Sequence, residues 1–89
     1  MTIEQIGIKP RKLEITGIQY DGTNLNEIAD FVASSNNANE WIFIPSELKK
    51  YDKNGLILLK PTDWVLKLFG DNTFIFSSEQ FKQTYYIKD

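Results

Sequence analysis

The spacing of hydrophobic residues changes several times along the chain, and each change predicts an element. Leu13 and Ile15 alternate with Glu14 and Thr16, so a half-buried strand is expected from Leu13 to Tyr20. Gly17 interrupts that row and is expected to mark a bulge. Asp21-Gly22 follows as a turn. Leu25, Ile28, Ala29 and Val32 then recur at helical spacing, which predicts an amphipathic helix from Asn24 to about Ser34. Asn24 and Glu27 have the spacing of a capping box. Glu27 and Asp30 fall on the solvent side. The polar run from Ser34 to Asn39 reads as a connection, because short polar side chains compete for backbone hydrogen bonds.

Beyond the helix the apolar runs shorten. Trp41-Ile42-Phe43-Ile44 predicts a buried strand that Pro45 stops or places at an edge. Ser46 to Tyr51 reads as a polar link with room for one helical turn. Asp52-Lys53-Asn54-Gly55 is a strong turn signal, since Asn-Gly accepts positive φ cheaply. Further strands are expected at Leu56–Leu59, Trp64–Phe69 and Thr73–Phe76, separated by Pro61-Thr62-Asp63 and Gly70-Asp71-Asn72. Ser77, three residues before Gln80, should cap a short helix reaching Tyr85. Residues 1–10 fit an edge strand or a loose arm, because Ile3, Ile6 and Ile8 are apolar while Gly7 and Pro10 break a helix. Strands joined by turns this short pair antiparallel. The expected architecture is one α+β domain over residues 1–89. It is a two-layer arrangement, a mainly antiparallel sheet of about four or five strands covered by one main helix, with a short C-terminal helix.

Composition narrows the chemistry. The 89 residues include no Cys and no His, so disulfides and His/Cys metal sites are excluded. A metal would have to be held by carboxylates alone, which suit hard ions. No metal or cofactor is expected. Hydrophobic residues make up 42% of the chain and aromatics 13%, enough to support a core rather than disorder. The net charge of −2 argues against general duplex-DNA binding. Met1 to Gln5 lacks the basic and apolar segments of a signal peptide, and no apolar run approaches the roughly 20 residues that span a bilayer. A soluble cytoplasmic protein with no membrane partner is the expectation.

Two blocks carry a resemblance. Arg11-Lys12-Leu13-Glu14-Ile15-Thr16-Gly17-Ile18-Gln19-Tyr20-Asp21-Gly22 is the first. The second runs from Asp63-Trp64-Val65-Leu66-Lys67 through Gly70, Phe74 and Phe76 to Phe81-Lys82-Gln83-Thr84-Tyr85. Together they resemble a family of short, uncharacterised tailed-phage and prophage proteins. That family opens on a strand ending in Gln-Tyr-Asp-Gly and closes on a Gly-Asp-Trp/Tyr strand, an aromatic strand and a Phe-x-x-Thr-Tyr helix. Thr62 stands where the family usually has Gly, and Ser77-Ser78 where it often has Cys. The resemblance implies a phage accessory gene acting in the cytoplasm of an infected or lysogenic bacterium. It implies no activity.

Catalytic constellations are weak. Without His or Cys, a serine nucleophile would need Lys or a carboxylate as its base, and every Ser sits in a loop or cap context. Asp63 and Asp71 bracket one strand and should lie about 20 Å apart, too far to act on one bond. The glycines form no phosphate-binding loop. Aromatics beside cations are the better candidates. Gln19 and Tyr20 at the first strand's end, with Lys60, Asp63, Trp64 and Lys67 around the later turn, could hold a nucleotide by charge and stacking, or touch a partner. The competing reading makes Trp64 core and the lysines solvated. Apolar residues on both faces of the Trp41 and Trp64 strands, with one helix to cover them, predict a symmetric dimer. The expected function is therefore non-enzymatic: a counter-defence or host-takeover factor that binds a host protein or a small nucleotide. The alternatives are a structural or adaptor component of a virion, and a minimal nucleotide-processing enzyme using Asp63 and Lys67.

Overall fold

A computed structural model describes residues 3–8, 11–44, 46–53 and 55–87. Eight strands and two α-helices follow in order: β1 (Glu4–Ile8), β2 (Arg11–Gln19), α1 (Leu25–Ala33), β3 (Trp41–Ile44), β4 (Glu47–Asp52), β5 (Gly55–Leu58), β6 (Trp64–Lys67), β7 (Thr73–Phe76), α2 (Ser78–Thr84) and β8 (Tyr85–Ile87). The class is α+β, as the pattern predicts, but the strands divide between two antiparallel sheets. One has five strands in the order β7-β6-β2-β1-β8, the other three in the order β3-β4-β5.

The sheet of five is buried on both faces at β6. Along β6, successive side chains point to opposite sides, and Trp64, Val65 and Leu66 are all buried. Val65 and Ile18 meet α1 through Ile28, Phe31 and Val32, together with Leu48 of the smaller sheet. Trp64, Leu66 and Ile6 meet Phe81 of α2 and Tyr85 of β8 on the other side. The short helix is thus a second cover. Each large side chain buried this way contributes roughly 1.5–3 kcal/mol. This corrects the expectation of an uncovered face at Trp64–Phe69: both faces of β6 are closed from within the chain.

Several local expectations also change. Glu4–Ile8 is an inner strand with β2 on one side and β8 on the other, rather than an edge or a loose arm. Gly17 marks no bulge; it pairs with Leu66 and Glu4, and the register shift falls at Gly7/Ile8 instead. A Cβ on Gly17 would meet the Leu66 side chain, so the glycine is a close-approach site. Ser46–Tyr51 holds a strand rather than a helical turn, because Leu48 and Lys50 both turn inward while Glu47, Lys49 and Tyr51 turn out. Asn24 forms no side-chain cap on α1; it accepts from the Asp21 N–H at 2.9 Å and donates to the Gln19 carbonyl at 2.9 Å. Ser77 does cap α2, in a full capping box with Gln80. Tyr85 leaves the helix and opens β8. The expected roles of Pro10, Pro45 and Asn54 lie outside the described residues.

Candidate functional site

The turn at Lys60–Asp63 shows why the six candidate residues separate. Pro61 fixes the first central position of the turn, and Thr62 occupies the second at φ 80°. The Asp63 N–H donates to the Lys60 carbonyl at 3.0 Å, and the Asp63 carboxylate accepts from the Lys60 N–H at 2.9 Å. The turn then locks to the end of β2. Thr62 N–H donates to the Tyr20 carbonyl at 2.7 Å, Tyr20 N–H to the Asp63 carbonyl at 2.9 Å, and Gln19 Nε2 to the Thr62 carbonyl at 3.1 Å. Gln19, Tyr20, Lys60 and Asp63 are therefore brought together, largely as a fastener between β2 and β6.

Trp64 and Lys67 do not join them as a binding surface. Trp64 is 4% exposed and stacks on Phe81 with ring centroids 4.1 Å apart and planes 6° from parallel. Its π face is used internally and is closed to a base. Lys67 points to the opposite side of the sheet, where Nζ lies 4.6 Å from the centre of the Phe31 ring and donates to Ser34 Oγ at 2.9 Å. Asp63 and Lys67 therefore have separate partners. Ser77 Oγ accepts from the Gln80 N–H at 3.1 Å as a cap. Among the described residues, no group of three or more acidic side chains could hold a metal ion.

The polar interior holds what the hydrophobic pattern missed. Lys50 is 5% exposed, yet its Nζ reaches Glu40 at 3.0 Å, the Tyr51 carbonyl at 3.1 Å and the Phe74 ring at 5.3 Å. That contact and the Asn37 amide hold the Glu40 carboxyl below its ordinary range, with the Lys50 bond the larger cause. Asn37, also buried, imitates a strand: its Oδ1 accepts from Thr73 N–H at 2.7 Å and its Nδ2 donates to the Thr73 carbonyl at 2.8 Å. Trp41 Nε1 donates to Thr73 Oγ1 at 2.7 Å. The one advance sign of an inward Lys50 is its spacing of two from Leu48.

The accessible surface with most apolar character lies on the smaller sheet. Register places Ile42, Ile44, Tyr51, Leu56 and Leu58 on its outward face. Ile44 is 41% exposed, Tyr51 52%, Leu56 46% and Leu58 36%. The Lys49–Glu47 ion pair, at 3.5 Å, crosses that face. A cleft of about 630 Å³ runs beside β5, bordered by Leu56, Ile57 and Leu58, with Lys60, Asp63 and Ile75 also contributing. Two of the six candidates, Lys60 and Asp63, thus border this cleft. Among the described residues, no helix is long and apolar enough to cross a membrane. No family model, no curated protein and no solved structure matches this chain.

Proposed function

We propose that the chain is a non-enzymatic binding protein that works by protein contact. The observation that carries this reading is the exposed apolar face built from Ile44, Tyr51, Leu56 and Leu58. Exposed apolar residues gathered on one sheet face of a small domain commonly serve recognition. The dispersal of Trp64, Lys67 and Lys60 supports protein contact over nucleotide stacking, since the indole is already stacked on Phe81. In the phage setting that the sequence resemblance implies, the partner is a host protein, met in the bacterial cytoplasm. A virion component would use the same face for assembly, and mass spectrometry of purified particles separates the two readings.

The test is capture from host lysate with the wild type and with Ile44→Glu and Tyr51→Glu. Both positions point outward, so the fold should persist. One host protein retained by the wild type, lost with both variants and confirmed by calorimetry with the purified pair, is the expected result. Equal capture by the variants, or calorimetric binding of a nucleotide with no protein partner, would refute the reading.

A further inference from the structure

The four outer edges of the two sheets are protected unequally. On β7 the Asn37 side chain occupies the Thr73 N–H and carbonyl. β8 is only three residues long. β5 has none of these devices. Gly55-Leu56-Ile57-Leu58 contains no charge and no proline, and all four residues are exposed. Sheet proteins normally blunt such an edge with a charge, a proline or a cover.

Register shows which backbone groups that edge offers. Leu59 N–H donates to the Leu48 carbonyl at 2.9 Å, on the β4 side. Backbone groups alternate in direction along an antiparallel strand. Ile57, two residues before, therefore also turns toward β4, opposite Lys50. Leu56 and Leu58 turn their N–H and C=O groups away from β4.

We propose that β5 pairs antiparallel with β5 of a second copy of this chain, joining two three-stranded sheets into one of six across a two-fold axis. This deepens the binding reading, because β5 borders the same apolar face. With Ile57 on the axis, Leu56 of each copy exchanges both backbone hydrogen bonds with Leu58 of the other. Their side chains meet on the outward face and extend the row of Tyr51 and Leu56 across the join. Charge is self-complementary: the turn end, with Asp52 and Lys53, comes beside the partner's far end, with Lys60 and Asp63. An acid and a base stand at each end, so the two-fold opposes no block of like charge.

The chain has no cysteine, so Ile57→Cys supplies a single thiol on the axis. Ile57 forms the closely spaced, non-hydrogen-bonded type of pair, with Cα atoms about 4.5 Å apart, within disulfide reach. Mild oxidation is expected to give a cross-linked dimer on a non-reducing gel. Light scattering should give the wild type twice the chain mass of 10.3 kDa in the micromolar range. Leu56→Lys with Leu58→Lys, and separately Leu56→Glu with Leu58→Glu, should each halve that mass. An equimolar mixture of the two should restore it, since Lys then faces Glu at both pairs. A monomeric wild type, a dimer indifferent to both charged variants, or no cross-link through Ile57→Cys would overturn the proposal. Capture of a host protein by a wild type that light scattering shows to be monomeric would separate failure of this proposal from failure of the binding reading.

Discussion

A threonine at φ 80° is strained by its own branched β-carbon. Thr62 holds that conformation because three hydrogen bonds tie its turn to the end of β2. Gly is the residue such a turn favours at this position. Thr62→Gly should raise stability by about 1 kcal/mol, the relief of strain exceeding the glycine's added freedom when unfolded. The urea midpoint measures it; an unchanged or lower midpoint would show the strain to be small. Glu40 gives a prediction of pH dependence. Its folded pKa lies below the ordinary glutamate value, so its contribution is complete above that value. The contribution is lost as pH falls through the lowered folded value. Glu40→Gln should leave a shallower acid limb in the curve of stability against pH, with Lys50 then lacking its carboxylate.

Among the elements, local rules and tertiary rules separate cleanly. Ser77 and Gln80 are three residues apart, and their reciprocal bonds need nothing from the rest of the molecule. Ser77→Ala should cost about 1 kcal/mol. Asn37 lies 36 residues from Thr73, and its role arises only after folding. Asn37→Ala strands two buried backbone groups at roughly 1–3 kcal/mol each, and should cost more than the cap does. Thermal denaturation of both variants checks that order; equal losses would contradict it. The same division explains what the sequence disclosed. The α1 face, the β7 strand and the α2 cap were legible because neighbours decide them. β4 was hidden because an inward Lys50 makes sense only with Glu40 and Phe74 around it. The Asn24 cap failed because the Gln19 carbonyl and Asp21 N–H lie closer to hand in the fold. The separation of the six candidate residues was hidden for a related reason. Whether Trp64 faces solvent depends on α2 folding back over β6, and no local pattern encodes that.

At the scale of the molecule, the aromatic surplus divides between interior and surface. Trp64, Phe76, Phe81 and Tyr85 knit α2 and β8 to the sheet, with Phe81 and Tyr85 rings 5.7 Å apart and Phe76 meeting Tyr85 edge-on. Tyr51 and the leucines of β5 lie outside that cluster, with Tyr51, Leu56 and Leu58 on the outward face of the smaller sheet. The pairing of β1 with β8 has a mechanical consequence. Ile6 faces Ile87 and Ile8 faces Tyr85, so Glu4 and Ile87 leave the sheet at the same end. A force applied between those two residues peels the ladder one hydrogen bond at a time. A force applied between Glu4 and Thr84 loads the same bonds together, in shear. Single-molecule stretching should therefore find a lower rupture force in the first geometry than in the second, although the folded state is identical in both. A translocating motor that gripped the chain beyond Ile87 would meet the weak direction first.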